Sequence, residues 1–434
     1  MEKACVIGLW HQGVVGAACL ADLGHEVIAS DDNEQTMRGL KSGKAPLFEP
    51  GLDELLQKAV KSGRLSFASK PAEAVKGCKF VLIMFDTPVD ENDRSDLNPV
   101  FSAVREIAPH LEQDTVILVT AQVPVGTSLQ LEAEIKRINP SLHFAIAYSP
   151  ENLQLGQAIE RFLHPPLRVI GSDSSRALDR LESFLSSIGG RWERVSLATA
   201  EMVKHALNAY LAITITFANE LGNLCDQVGA DGFRLAEILR AEPRIGSKAM
   251  LFPGLGFSGG TLARDMQTLL NLGRQKDVKT PLLDGVWQSN ANQNQSVTRK
   301  LRRLLKSLEN KKIAVLGLAY KPETSTLRRS LSLAIISELA SEKAVVTAHD
   351  PRADRAEIAK HTEFSFHEDV YQAVCGADAL LLITGWKEYK SLDYLQVKQL
   401  MSGRLVMDPN NLLNRNEMEQ LGFQYIGAGR GHAE

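Results

Sequence analysis

The sequence predicts an α/β protein in which two doubly wound domains are joined by a central helical domain. Two segments of the chain begin alike, because residues 3–8 and 312–317 are each a short apolar run that ends in glycine. Each run is followed by a helical pattern and then by a second strand pattern, which ends in Asp31 in the first half and in Asp350 in the second. A β-α-β opening that occurs twice is the pattern expected of two doubly wound domains.

Further strands follow in order within each half. The predicted strands are continuous apolar runs at residues 80–84, 115–119, 379–383 and 404–407. Continuous apolar runs are typical of parallel strands that are buried on both faces of a sheet. We therefore predict a first domain over residues 1–197 and a third domain over residues 301–434.

The segment between these domains has a helical period. Apolar residues, among them Leu207, Leu211 and Ile215, recur at helical spacing from about residue 198 to 239. We predict a central helical domain over residues 198–300 that contains one long helix. The pattern fits two interpretations of that helix, a spine that also forms a dimer surface or an ordinary buried connection.

The composition is typical of a globular protein and argues against several kinds of partner. With 434 residues and a net charge of −3, the chain has no basic surplus for nucleic acid or an anionic membrane. No apolar run reaches the roughly 18 residues of a membrane span. The five cysteines are scattered without metal-ligand spacing, which predicts reduced thiols, a cytoplasmic location and no metal site.

The first β-α turn has part of a dinucleotide-binding pattern. Gly8 and Gly13 match the outer glycines of G-x-G-x-x-G, but Trp10 stands at the middle one. Asp31 follows at the distance expected of a residue that binds the ribose 2′-hydroxyl, which favours NAD over NADP. Two interpretations stay open: Trp10 reshapes a loop that still binds NAD over the helix N-terminus, or the domain has lost its dinucleotide.

Short motifs that carry chemistry occur in order along the whole chain. They read FEPGL at 48–52, DTP at 86–88, QVPVGT at 122–127, SPENL at 149–153, EMVK at 201–204, RIG at 244–246, PGLGFSGGTLARD at 253–265, and GLAYKP at 317–322. Together they resemble the motifs of the UDP-glucose/GDP-mannose 6-dehydrogenase family. The resemblance implies two Rossmann-like domains, NAD as cofactor, a nucleotide-sugar substrate and a homodimer with shared sites.

The chain departs from the family's motifs mainly where those motifs line the family's site. Thr261 stands where the family has its catalytic cysteine, whose thiol captures a sugar aldehyde and so permits a second oxidation. A hydroxyl has a far higher pKa than a thiol and is a poor nucleophile without a dedicated base. The other departures are Trp10 and Asp86 for glycine, Gln122 for threonine, Asn152 for phenylalanine, Arg264 for lysine, and DPNN at 408–411 for DGRN.

The resemblance also implies roles for individual residues. Lys204 and Asn208 share one helix face and, with Asp265, would order a water or accept a proton as hydride leaves; Glu151 would position water. For the cofactor the resemblance implies Thr87 and Gln122 in addition to the residues of the first turn. For the substrate it implies Arg244, which in the family commonly reaches the neighbouring subunit's nucleotide sugar, together with Phe257, Gly259, Lys321 and Arg328.

Three functions fit these observations. The first is an NAD-dependent oxidoreductase that acts on a nucleotide sugar and is altered by the loss of the cysteine. The second is a redox-neutral epimerase or lyase, in which NAD accepts and then returns the hydride. The third is a non-catalytic protein that binds nucleotide sugars.

Overall fold

The computed structural model of the protein describes residues 2–88, 95–151, 153–258 and 261–431. The chain divides into two compact units, Met1–Leu207 and Asn208–Glu434. Each unit contains one β-sheet, which confirms the predicted α/β class with two separate sheets. No helix in the described part of the chain is both long and apolar enough to span a bilayer.

The first unit is an eight-stranded sheet with helices between its strands. The strands are β1 (Lys3–Ile7), β2 (Glu26–Ser30), β3 (Leu65–Phe67), β4 (Phe80–Ile83), β5 (Thr115–Val119), β6 (Phe144–Tyr148), β7 (Val169–Gly171) and β8 (Glu193–Val195). The helices are α1 (His11–Asp22), α2 (Glu34–Lys41), α3 (Leu52–Lys61), α4 (Pro71–Ala74), α5 (Asn98–Ile107), α6 (Thr127–Ile138), α7 (Ala158–Leu163) and α8 (Ser175–Phe184). Short 3-10 turns lie at Ala108–His110 and Ser186–Ile188.

The strand order β3-β2-β1-β4-β5-β6-β7-β8 places β1 beside both β2 and β4. All the described pairs in this sheet are parallel except β6 with β7. Both faces are covered, since Val6 shares a buried cluster with Val14 of α1, whereas Ile7 shares another with Val100 of α5. Neighbouring residues of a strand point to opposite faces, so an unbroken apolar run is what this position in the sheet requires.

The second unit begins with helices and ends with a parallel six-stranded sheet. A 32-residue helix, α9 (Leu197–Val228), runs from the first unit into the second, as the helical period predicted. It is followed by α10 (Gly232–Ala241), α11 (Leu262–Gln275), α12 (Pro281–Asn294) and α13 (Ser296–Leu305). Strands and helices then alternate. The strands are β9 (Lys312–Leu316), β10 (Val345–His349), β11 (Ser365–Phe366), β12 (Ala379–Leu382), β13 (Leu405–Asp408) and β14 (Gln424–Gly427). The helices are α14 (Leu331–Ser341), α15 (Arg355–Ile358), α16 (Val370–Val374), α17 (Tyr394–Leu400) and α18 (Arg415–Gln420), and a 3-10 turn lies at Lys387–Ser391.

The second sheet repeats the central arrangement of the first. Its order is β11-β10-β9-β12-β13-β14, so the opening strand β9 again lies between its successor and a later strand. Val315 and Leu316 belong to buried clusters on opposite faces. The duplicated opening in the sequence therefore corresponds to two doubly wound sheets.

Candidate functional site

The turn between β1 and α1 requires glycine at its start, at Gly8, and again at Gly13 in the first turn of α1. Gly8 has a φ of +89°, and a Cβ atom at Gly13 would lie 1.7 Å from the carbonyl oxygen of Gly8. Trp10, by contrast, has an ordinary φ of −85° as the residue that precedes α1, and it is 49% exposed. Residue 10 therefore does not require the positive φ that favours glycine.

We expect Gly13→Ala to destabilise the protein by about 2–3 kcal/mol, because the added methyl group meets backbone rather than a movable side chain. Equilibrium unfolding in denaturant measures the change. Gly285→Ala is the matched control, since Gly285 lies within α12 with open space around its Cβ position, and alanine there should be neutral or stabilising. Equal stability of Gly13→Ala and the unmodified protein would contradict this account of the turn.

Asp31 follows β2 and fixes the same turn. Its Oδ2 atom accepts a hydrogen bond from the backbone amide of Leu9 at 2.6 Å, and its Oδ1 atom accepts one from Asn33 at 2.8 Å. The second unit has the same bond, in which Asp350 accepts from the amide of Leu318 at 2.7 Å. A carboxylate has about four acceptor positions, so these bonds leave Asp31 able to accept from a ribose hydroxyl.

Asp86 lies at the N-terminus of α1, a position that sequence reasoning did not foresee. Its Oδ2 atom accepts from the amides of His11 at 3.1 Å and of Gln12 at 3.3 Å. Since β1 and β4 are parallel neighbours, the segments after them meet at the same edge of the sheet. Ile7 of β1 pairs with Ile83 of β4, so Asp86, three residues after Ile83, lies near the turn that follows Ile7. The sequence alone does not give this pairing.

Other contacts join this edge of the sheet to the motifs that follow it. The hydroxyl of Thr87 donates to the carbonyl oxygen of Gln122 at 2.7 Å, so the structure brings these two predicted cofactor residues together. His11, which had no predicted role, lies 3.2 Å through Nε2 from Oε2 of the buried Glu49. Glu49 also accepts from the amide of Ala158 at 2.8 Å, which ties the FEPGL motif to α7.

Lys204 and Glu151 are adjacent within the first unit. Lys204 is buried on α9, and its Nζ atom donates to the backbone carbonyl of Glu151 at 2.6 Å. Burial raises the pKa of the Glu151 carboxyl above its ordinary value, and the positive charge of Lys204 opposes this shift. Asp86 raises the same pKa and His11 lowers it, so three neighbouring charged groups act on the Glu151 carboxyl at this edge of the sheet. The departure at residue 152 lies outside the described residues.

The raised pKa of Glu151 predicts a pH-dependent effect of Glu151→Gln. A carboxyl that binds its proton more tightly when folded destabilises the folded state once it ionises. That cost is absent below the ordinary pKa of 4.5 and complete above the raised pKa of the folded protein. The amide does not ionise, so the variant should gain stability relative to the unmodified protein as the pH rises from 4.5 through the raised pKa of the folded protein.

Denaturant unfolding at several pH values measures this difference. The exposed Glu160→Gln serves as the control for loss of one carboxylate from a neighbouring segment. A relative stability of Glu151→Gln that falls as the pH rises would contradict the burial argument.

In the second unit Asn208 and Asp265 form a buried pair. Asn208 donates through Nδ2 to Oδ2 of Asp265, which lies in the first turn of α11 and has no exposed surface. Thr261 immediately precedes α11 and is exposed, and its hydroxyl makes no capping hydrogen bond. Gly259, predicted to bind substrate, lies outside the described residues.

Three amide side chains that sequence reasoning missed hold the glycine-rich segment before Thr261. Asn290 donates to the carbonyl oxygen of Phe257 at 3.0 Å and accepts from its amide at 2.7 Å. Asn219 accepts from the amide of Gly254 at 2.7 Å, and Gln293 donates to the carbonyl oxygen of Gly254 at 2.6 Å. Asn219 follows Asn208 by about three helical turns, so their shared helix face was a usable signal.

The remaining predicted substrate residues lie in loops of the second unit. The Arg244 side chain is 88% exposed, and its described ion pair is with Glu242 at 2.8 Å. The loop after β9 contains Lys321, whose ammonium lies 5.3 Å from the ring centroid of Tyr320, and the exposed Arg328. Among the described residues no cluster of His, Cys, Asp or Glu could hold a metal ion.

Comparison with known proteins gives matches over nearly the entire chain. Residues 2–188 match the NAD binding domain of the UDP-glucose/GDP-mannose dehydrogenase family, residues 198–292 its central domain, and residues 314–415 its UDP binding domain. The chain is 35% identical over 435 residues to UDP-glucose 6-dehydrogenase of Rhizobium meliloti, covering 99% of each protein. It is 33% identical over 432 residues to UDP-glucose 6-dehydrogenase TuaD of Bacillus subtilis, covering 99% of this chain and 94% of that protein.

Solved structures agree with these matches. A UDP-glucose dehydrogenase from the archaeon Pyrobaculum islandicum superposes with a TM-score of 0.90 at 29% identity, covering 100% of this chain and 98% of that one. A UDP-D-ManNAc dehydrogenase from Pyrococcus horikoshii superposes with a TM-score of 0.88 at 25% identity, covering 99% of this chain and 100% of that one.

Proposed function

Because the chain belongs to the UDP-glucose/GDP-mannose dehydrogenase family, we propose that it is an NAD-dependent oxidoreductase that acts on a CH–OH group of a nucleotide sugar, with chemistry altered at Thr261. The observation that carries the altered chemistry is the exposed Thr261 hydroxyl before α11, in the segment where the family's motif has its cysteine. A neutral hydroxyl does not trap an aldehyde as a thiol does. We therefore expect no efficient four-electron oxidation to a uronate.

The cysteines of this chain do not replace the missing thiol. Burial raises the pKa of Cys5 and Cys225, and it raises the pKa of Cys19 to about 12 and that of Cys78 to about 11. Such thiols are poor nucleophiles because so little thiolate is present. Cys375 is exposed, but it lies at the other end of β9 from the loop that begins at Gly317. Its carbonyl oxygen accepts a hydrogen bond from the side chain of Lys312, the first residue of β9.

The first unit supplies the cofactor site in this proposal. The turn with Gly8 and Gly13 and the acceptor Asp31 fit a dinucleotide, with Trp10, Thr87 and Gln122 also contributing to the site. When bound, NAD accepts the hydride that leaves the sugar carbon. Support comes from the match of residues 2–188 to an NAD binding domain. It comes also from the close approach of Gly13 to the carbonyl oxygen of Gly8, which leaves no room for a side chain at residue 13.

In this proposal, polar groups on and beside α9 bind the proton and the water that take part in the reaction. The ammonium group of Lys204, held by the carbonyl oxygen of Glu151, stabilises the developing oxyanion as hydride leaves, or its neutral amine form accepts the hydroxyl proton. Glu151, whose pKa is raised by burial, positions water. Asn208 and Asp265 orient one another and hold the start of α11, where Thr261 lies.

The nucleotide sugar is assigned to the second unit together with a partner subunit. Phe257, Gly259, Lys321 and Arg328 contact the substrate in this proposal, supported by the UDP binding domain match at 314–415. The surface suited to a homodimer is an exposed stripe on α9. Tyr210, Phe217 and Leu224 recur there at seven-residue spacing, and they are 62%, 49% and 62% exposed.

The domain limits and the cellular location complete the proposal. The three family matches each fall within one of the predicted domains, 1–197, 198–300 and 301–434. We place the protein in the cytoplasm, consistent with five free cysteines.

A shared site predicts complementation between two inactive proteins. Arg244→Ala removes the arginine proposed to reach the partner's substrate, and Lys204→Ala removes the proposed proton acceptor. Half of the dimers in an equal mixture are hybrids and each contains one intact site of two, so subunit exchange should restore up to about a quarter of the activity. Exchange confirmed by differently tagged subunits without any recovery of activity would show that each chain forms its own site.

The direct test of the proposed function is incubation with NAD and a panel of nucleotide sugars. Formation of NADH, followed by absorbance, supports an oxidoreductase. An altered sugar without NADH would instead support a redox-neutral epimerase or lyase. Binding of the sugar without any product would favour a non-catalytic binding protein.

A further inference from the structure

We propose that Asp86 is an internal competitor for the dinucleotide pyrophosphate, because its carboxylate takes up the amide groups at the N-terminus of α1. The residue would thereby set how tightly the protein binds NAD. This inference rests on the proposed function only in taking NAD as the natural ligand. The site itself is supported by the match of this unit to an NAD binding domain.

The contacts of Asp86 are those that a pyrophosphate needs. The first amides of a helix have no partner within the helix, and with the helix dipole they form an anion-binding position. In α1 the first two of these amides, from His11 and Gln12, already donate to Oδ2 of Asp86 at 3.1 and 3.3 Å. At the position of Asp86 the family's motif has glycine, which has no side chain that could compete for these amides.

The backbone on both sides of Asp86 is held in place. Gln12 donates through Nε2 to the carbonyl oxygen of Phe85 at 2.7 Å, and Thr87 donates to the carbonyl oxygen of Gln122 at 2.7 Å. A Cβ atom on Gly8 would lie 2.9 Å from the ring of Phe85, so the two segments touch. Asp86 is therefore directed to the start of α1 by the packing of its neighbours.

Charge makes the competition specific for anions. The pyrophosphate of NAD carries two negative charges, and each would lie within several ångströms of the carboxylate of Asp86. Like charges about 4 Å apart repel enough, even in water, to change an equilibrium several-fold, so two such pairs amount to about tenfold or more. Asp86 is exposed, so it can rotate away from α1, and NAD would bind weakly rather than not at all.

The test is titration calorimetry with two probes, NAD and inorganic pyrophosphate, on four proteins. Besides the unmodified protein these are Asp86→Gly, which removes the carboxylate, Asp86→Asn, which removes only its charge, and the control Asp96→Asn. Asp96 is exposed, and its carboxylate accepts from the amide of Asn98 in the segment that follows. Circular dichroism establishes that each variant is folded, and Asp86→Asn remains informative if glycine weakens α1.

We expect Asp86→Gly to bind both probes about tenfold more tightly than the unmodified protein, and Asp86→Asn at least about threefold more tightly, with larger gains at low ionic strength. The control should bind as the unmodified protein does. Unchanged or weaker binding of both probes by both Asp86 variants would overturn the inference. If pyrophosphate affinity rises but no protein binds NAD, the inference about Asp86 stands and the proposed NAD cofactor fails.

Discussion

Lys204→Ala is expected to lower kcat/KM for oxidation of the nucleotide sugar by about 10³-fold, within the range typical for loss of a positioned proton acceptor. Lys204 is 9% exposed, and its single ammonium group is fixed at 2.6 Å from the carbonyl oxygen of Glu151. An ammonium group held in this way can stabilise the developing oxyanion without reorganising at the moment of reaction, and after it has lost its own proton the amine can accept the hydroxyl proton. NAD binding should change little, because Lys204 is not among the proposed cofactor contacts.

Steady-state kinetics and calorimetry on the same protein separate the two effects. The exposed Lys61 at the end of α3 gives the control Lys61→Ala, which should keep full activity. Equal loss of activity and of NAD affinity in Lys204→Ala would show that the lysine supports folding or cofactor binding. Unchanged kcat/KM would remove Lys204 from the proposed chemistry.

Thr261→Cys is expected to produce uronate where the unmodified protein forms little or none, an increase of at least about tenfold. The Thr261 hydroxyl makes no capping bond, so its replacement leaves α11 intact. A thiol at a helix N-terminus has a lowered pKa and is present largely as thiolate. It would capture the aldehyde as a thiohemiacetal. Loss of the hydroxyl proton and transfer of a second hydride to bound NAD would convert this to a thioester, which water would hydrolyse to the uronate and the free thiol.

Quantification of uronate after incubation with NAD and UDP-glucose or a related sugar measures the gain. Thr261→Ser is the matched control, because it changes the side chain but retains a hydroxyl, and it should give no gain. Alkylation by iodoacetamide establishes that the new thiol is reactive. A reactive thiol without uronate would show that the loss of the cysteine is not the limiting change, and that Trp10 and Gln122 belong to a site rebuilt for another reaction.

The sequence was a sufficient guide to the elements with strong local patterns. Gly8 and Gly13 predicted the first turn because only glycine fits there, and the helical period predicted α9. Asp31 was identified as a polar residue after a strand, and the structure shows it holding the first turn through Leu9.

Contacts between segments that are distant in the sequence could not be predicted from local sequence patterns. Asp86 reaches the amide of His11 only because β1 and β4 are neighbours, and strand order is not encoded in local periodicity. Asn290 of α12 binds the backbone amide of Phe257, which lies in a loop. A single polar residue in a helical pattern does not indicate which distant segment it will contact. The motif resemblance drew attention to position 86 as a departure, but not to the bond that its carboxylate makes.

The central claim is that Thr261 ends the family's chemistry short of the second oxidation. The measurement that tests it most directly is the ratio of NADH formed to sugar consumed by the unmodified protein with NAD and a nucleotide sugar, together with analysis of the product. We expect at most one NADH per sugar and little or no uronate. Rapid formation of uronate with two NADH per sugar would contradict it.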